Sequence, residues 1–206
     1  MNDGYKEILS SIASSNPTPG GGSVAALSLA HAYALSTMVA RLTLANEKWS
    51  EGHEVAEKII NISEDSIEDS LRLALLDSEA FDRVMSSYRL PKSDDQEIEE
   101  RRNAIRVATI GAAEAPLKTA ETAANLLQLI ESQSAFCNSN ALTDLASSAE
   151  LSFTAVIIAS MNVKINLDFI KGEDVAKLTS KIEKTVEESQ AKLDNIRSIV
   201  SERLGW

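Results

Sequence analysis

Apolar residues recur along this chain at spacings of three and four, and the pattern continues through nearly its whole length. The first run sets Tyr5, Ile8, Leu9 and Ile12 on one stripe and predicts a helix over 3–14. It stops at Ser15-Asn16-Pro17-Thr18-Pro19-Gly20-Gly21-Gly22, because prolines and clustered glycines do not continue a helix. Ser23 is a favourable N-cap, so a second helix is expected over about 23–46. That segment is apolar on nearly every side, which suits a central helix packed all round. A third helical stretch covers about 52–88, with room for a break. Leu90–Asp95 turns the chain, and a fourth helix follows over about 96–131, with Pro116 expected to kink it. Ser132–Asn140 reads as a polar loop, 141–170 as a fifth helix ended by Lys171-Gly172, and 173–204 as a last amphipathic helix.

No stretch alternates apolar and polar residues with β-branched enrichment, so strands are not expected. Neither an internal repeat nor a low-complexity linker interrupts the pattern, and the Pro/Gly turn lies too near the N-terminus to divide two domains. The expected architecture is all-α: a single domain over 1–206, built as one bundle of five to seven long helices. Helices this long and apolar call for further cover, which predicts a homodimer, with a higher oligomer left open.

The net charge of −11 argues against nucleic acid and against an anionic membrane surface as partners. It does not bar a small anionic ligand, since a few lysines and arginines can outweigh the average locally. A single cysteine, Cys137, rules out an internal disulfide and supports no thiolate metal cluster. Segment 24–44 is apolar enough to be queried as a membrane span, but Ser28, His31, Tyr33, Ser36, Thr37 and Arg41 fit a buried helix better. The first ten residues show neither the basic start nor the apolar run of a signal peptide, so the cytoplasm is the expected location.

Four features could carry chemistry. Pro17-Thr18-Pro19-Gly20-Gly21-Gly22-Ser23 precedes a helix directly, so its backbone can approach a ligand closely and offer free amides. It could equally be a flexible turn; it is neither a nucleotide P-loop nor a dinucleotide fingerprint. Asp77 falls on a stripe with Leu73, Ala80 and Val84, where lost solvation raises a carboxyl pKa toward general acid–base use. An exposed or Arg-paired aspartate is the alternative. Asp144, Asn162 and Asn166 fall near one face of the fifth helix, as ligand contacts or as structural polar contacts, and Asn138 and Asn140 before it are ambiguous in the same way. Lys92, Arg101, Arg102 and Arg106, with Lys118 and Lys164 further on, could hold an anionic tail or simply pair with nearby glutamates. Neither histidine has metal-site spacing: His31 reads as a hydrogen-bonded core residue and His53 as the start of a helix. No metal site is expected.

Taken in order, these segments resemble the C-terminal domain of the formiminotransferase-cyclodeaminase family, which includes standalone methenyltetrahydrofolate cyclohydrolases. Ser15 to Ala26 is similar to its opening signature, Asp77-Ser78-Glu79-Ala80-Phe81-Asp82 to its acidic helix segment, and Leu90-Pro91-Lys92 with Arg102 to its next turn. Ala115-Pro116-Leu117, Asn138 to Asp144, and Asn162 to Leu167 are similar to its later helices. Cys137 stands where a glycine is expected before Asn138, and Thr143 where a serine is expected before Asp144. The resemblance implies an all-α homodimer holding a folate in a helix-lined cleft, without a prosthetic group or metal. It implies closure of 5-formiminotetrahydrofolate to 5,10-methenyltetrahydrofolate with release of ammonia, or alternatively the methenyl- to 10-formyltetrahydrofolate reaction of a cyclohydrolase. Asp77 matches the family's acid–base position. The resemblance further implies a substrate-binding set of Pro19, Gly20, Gly21, Gly22, Ser23, Lys92, Arg102, Asn138, Asp144 and Asn162. In that set the glycine turn meets the pterin or its one-carbon unit, Asn138 and Asp144 its polar edge, and Lys92 or Arg102 the glutamate tail. A non-catalytic helical dimerisation protein is the rival, and it predicts no cleft around Gly20–Ser23 and Asp77.

Overall fold

A computed structural model describes residues 3–206, and they form six α-helices and two short 3-10 turns. The helices are α1 (Asp3–Ile12), α2 (Gly21–Leu44), α3 (His53–Tyr88), α4 (Asp95–Ser134), α5 (Leu142–Leu167) and α6 (Glu173–Leu204). The 3-10 turns, Glu47–Gly52 and Ser139–Ala141, lead into α3 and α5. No strand occurs among the described residues. The all-α expectation holds, and six lies within the expected five to seven helices.

α2 and α5 form the centre. Among the described residues they are the two segments long and apolar enough to cross a membrane by length and composition, and here α2 packs on α3, α4 and α5 while α5 packs on α2, α4 and α6. Alanines fill the contact: Ala25, Ala26 and Ala32 on α2, Ala113, Ala120 and Ala123 on α4, Ala149, Ala155 and Ala159 on α5 are buried. Small side chains let the helix backbones approach, so interior hydroxyls reach the neighbouring helix. Ser148 Oγ donates to Ala32 O at 2.6 Å and Ser152 Oγ to Ala123 O at 2.9 Å. Ser36 and Gln133 exchange two hydrogen bonds, Ser36 Oγ to Gln133 Oε1 and Gln133 Nε2 to Ser36 O, each at 3.2 Å. A slip of any helix would strand these buried groups, so they set the register.

Several boundaries differ from expectation. α2 starts at Gly21 with Gly20 as its N-cap, not at Ser23. The start of α3 moves from Gly52 to His53 because residues 47–52 form a 3-10 turn closed by Asn46 Oδ1 on Lys48 N; α3 is unbroken. Asp94 caps α4 by accepting from Glu97 N at 2.8 Å, and α4 runs through Pro116. α5 ends at Leu167, short of Ile170. Residues 168–172 turn the chain, and Gly172 has φ +149°, where a Cβ would meet Asp174 Oδ1 and Arg106. His31 is not a core residue: it is exposed, with Nδ1 donating to Leu27 O at 2.7 Å and its ring edge against Tyr5 of α1. The physical reason is that α1 covers α2 only loosely, leaving Tyr5 and Leu9 half exposed.

Candidate active site

The site forms where α2 begins, and glycine is what allows it. Gly20, the N-cap of α2, has no side chain to satisfy the first amides of the helix. The negative group comes instead from another helix. Asp77, about two-thirds of the way along α3, lays its carboxyl group over Gly22 so closely that any Cβ at Gly22 would overlap it. A carboxylate there meets the positive end of α2. Behind it, the Ser23 hydroxyl lies 3.2 Å from Asp77 Oδ2. Burial pushes the Asp77 carboxyl above the usual carboxylate range, while the Ser23 hydroxyl and backbone amide pull it partly back.

α5 supplies the opposite wall. Asn162 Nδ2 donates to Ile158 O at 2.8 Å, and Asn166 Nδ2 donates to Ala112 O at 2.8 Å and to Asn162 O at 2.9 Å. A backbone carbonyl accepts only, so nitrogen and oxygen are told apart: Asn166 Nδ2 spends both its protons, Asn162 Nδ2 keeps one, and each Oδ1 is left to accept. Pro116 explains why Ala112 O is free for this. With no N–H, proline makes no helical bond to the carbonyl four residues earlier. That unclaimed carbonyl holds Asn166, so the expected proline kink is better described as a polar handle on the site.

Together these elements enclose a cavity of about 340 Å³ lined by Pro17, Thr18, Gly20, Gly21, Gly22, Asp77, Phe81, Val84, Ala112, Asn162, Ile165 and Asn166. Among the described residues Asp77 is the one ionisable side chain on this wall, beside the asparagine oxygens, one unspent Asn162 N–H and the two-way Thr18 hydroxyl. The amides of Gly21 and Gly22, in the first turn of α2, add backbone donors.

The structure brings Asp77, Gly20, Gly21, Gly22 and Asn162 together. Pro19 adjoins the wall without lining it, and Ser23 is buried behind Asp77, so its expected substrate contact is corrected to a contact with the carboxyl. The other expected members do not converge in this chain. Asp144 opens α5, eighteen residues from Asn162, roughly 27 Å along the helix. Asn138 caps the 3-10 turn before α5, with Oδ1 accepting from Asn140 N and Nδ2 donating to Leu42 O. Lys92 is exposed in the turn between α3 and α4. Arg102 pairs with Glu99 at 2.9 Å and lines a separate hollow with Arg106, Phe169 and Lys171, in the turn that follows α5. The shared-face argument for Asp144 failed because a helical face says nothing about distance along the helix. Asn166, read from the sequence as a possible ligand contact but left out of the substrate-binding set, belongs to the wall, and Phe81 and Val84 join it without having been named as site residues. The four-residue spacing of Asn162 and Asn166 was the available signal.

Residues 4–188 match the model of the formiminotransferase-cyclodeaminase family. The methenyltetrahydrofolate cyclohydrolase of Methylorubrum extorquens is 32% identical over 80% of this chain and 79% of its own. The formimidoyltransferase-cyclodeaminase of Rattus norvegicus is 31% identical over 72% of this chain, a match that spans only 28% of that longer protein. The crystal structure of formiminotetrahydrofolate cyclodeaminase from Thermotoga maritima superposes with a TM-score of 0.86 at 27% identity, covering 98% of this chain and 96% of that one. Asp77, the glycine turn and the asparagine pair thus lie on a fold shared with enzymes of tetrahydrofolate one-carbon chemistry, and the chain belongs to the formiminotransferase-cyclodeaminase family.

Proposed function

We propose that this chain closes 5-formiminotetrahydrofolate to 5,10-methenyltetrahydrofolate, releasing ammonia, with Asp77 moving the proton. The observation that carries this reading is a half-buried carboxyl, the one ionisable side chain among the described residues lining a cavity that also offers two asparagine oxygens. The formimino group is an amidine and binds as an amidinium. N10 attacks its carbon and becomes positively charged in the tetrahedral adduct. Asp77 takes the N10 proton and delivers it to the former imino nitrogen, which leaves as ammonia. The carbon–nitrogen bond to the leaving group breaks as the methenyl cation forms. One positive charge is present from start to finish, and a wall whose one charged side chain among the described residues is a carboxylate favours it throughout. The first-turn amides of α2 suit a carbonyl or ring nitrogen of the pterin.

A second reading has its own support. The Methylorubrum relative has nearly the same extent as this chain and is named for the cyclohydrolase reaction. There water attacks the methenyl carbon and Asp77 accepts one of its protons; the C–N5 bond then breaks as the formyl carbonyl forms, and the remaining hydroxyl proton ends on N5. One assay separates the two. The chain is supplied with formimino-folate and then with methenyl-folate, while methenyl absorbance and free ammonia are followed. Ammonia released in step with methenyl formation supports the first reading, and methenyl loss without a formimino reaction supports the second. No turnover of either substrate would defeat both.

We also propose a homodimer. Met161 and Ile165 of α5 and Phe169 just after it flank the cavity, Ile165 as part of its wall, and stand more than half exposed, Phe169 at 77%. A second copy would cover them. Sedimentation at twice the chain mass is expected, and a monomer across the micromolar range would end this part.

A further inference from the structure

Ser23 is closed off from the cavity at 1% exposure, and its hydroxyl has more acceptors than protons. Its Oγ lies 3.0 Å from Ala74 O, 3.2 Å from Asp77 Oδ2 and 3.1 Å from Ser78 Oγ. A hydroxyl carries one proton and two acceptor lone pairs, so it cannot fully serve Ala74 and Asp77 at once. An ionised carboxylate is the stronger acceptor and takes the bond. Once Asp77 is protonated the Ala74 carbonyl competes for it. The hydroxyl can turn there without losing a partner, and a lone pair is left to accept from the new acid. Ser78 can donate to Ser23 Oγ in both states, which fixes that oxygen between its two acceptors. No further titratable or charged side chain lines the cavity among the described residues, and Ser23, its hydroxyl backed by Ser78, is the side chain hydrogen-bonded to Asp77.

We propose that Ser23 is a positioning residue for Asp77, switching its single proton between Asp77 Oδ2 and the Ala74 carbonyl as Asp77 changes protonation state, with Ser78 anchoring the Ser23 oxygen. This rests on the reading that Asp77 exchanges a proton during turnover. Proton balance is simple: the proton taken from substrate stays on Asp77 until it is returned, and the serine protons only reorient. The switch lets Asp77 act as acid and base in one crevice without leaving a buried group unpaired in either form.

The test combines a carbon-13 NMR titration of the Asp77 carboxyl in the free protein with pH profiles of kcat/KM, for Ser23→Ala, Ser78→Ala and the double variant. Ser23→Ala loses a donor to the ionised form, so the Asp77 titration should move up by about one pH unit. The acid limb of kcat/KM should follow it, with plateau kcat about tenfold lower and KM nearly constant. Ser78→Ala should move the titration up by less, and the double variant no further than Ser23→Ala, since Ser78 acts only through Ser23. An unmoved titration in Ser23→Ala, or a Ser78 effect that persists without Ser23, overturns the proposal. If Ser23→Ala does not fold, the half-buried Ser78→Ala carries the test by the same upward movement or its absence. Normal turnover with an unmoved titration defeats the serine switch alone. A moved titration with no folate turnover in any variant defeats the proposed reaction and leaves the switch standing.

Discussion

Asp77→Asn is expected to lower kcat by about two to four orders of magnitude, the range associated with losing a positioned acid–base group. KM should change little. Asparagine keeps the shape and can still accept from Ser23 Oγ, but it can neither take a proton from N10 nor deliver one to a leaving amine. The fold should tolerate it, and the sign of the pKa shift says why. Burial raises the Asp77 carboxyl above its unfolded value, so the folded chain holds this proton more tightly than the unfolded chain. The group's contribution to stability is therefore fully present below the unfolded carboxylate pKa. It is lost as pH rises from there through the raised folded value. Wherever the carboxyl is ionised the wild-type protein carries a charge that burial disfavours, and asparagine does not. Calorimetry above the folded titration of Asp77 should find the variant at least as stable as wild type, with the difference shrinking as pH falls through it. Near-normal turnover in a folded Asp77→Asn protein would remove Asp77 from the chemistry.

The same pair of residues shows how far the chain could be read in advance. Helical spacing identified every helix, because long amphipathic or alanine-rich runs leave little choice of element. Asp77 stood out for a physical reason: a charge among Leu73, Ala80 and Val84 has to be partnered or functional. Its partner was not legible, since nothing local to Asp77 points to a residue 54 positions earlier. Ser23 was therefore placed as a cap for its own helix, when its hydroxyl faces α3. Asn162 and Asn166 were visible as polar residues on an apolar face, but their orientation depends on a carbonyl of α4 that Pro116 leaves unpaired. That is a tertiary consequence of an absent N–H. Asn138, Asp144, Lys92 and Arg102 were grouped by family pattern and by helical phase. Neither measures separation along a bundle whose helices run up to 40 residues.

Gly22→Ala tests that geometry most severely, and the propensity argument sharpens it. Gly22 is helical, so an alanine there would by itself favour α2 by about 1 kcal/mol. The added methyl group would, however, overlap the Asp77 carboxyl, and α3 cannot withdraw without opening its contact with α2. Overpacking of this kind costs about 1–3 kcal/mol, enough to cancel the helix gain and leave a net loss. Turnover should fall by about a hundredfold or more, since a displacement of an ångström at a reacting group has that scale of effect. Gly21→Ala is the matched comparison. Its Cβ would come no nearer than 3.4 Å to Asn162 Nδ2, an ordinary contact, so stability should hold or improve. The cause can be isolated with one more variant. Removing the carboxyl by Asp77→Ala takes away what the methyl group strikes, so Gly22→Ala should destabilise that background far less than wild type. Equal destabilisation in both backgrounds would mean that Gly22 is glycine for some reason other than seating Asp77.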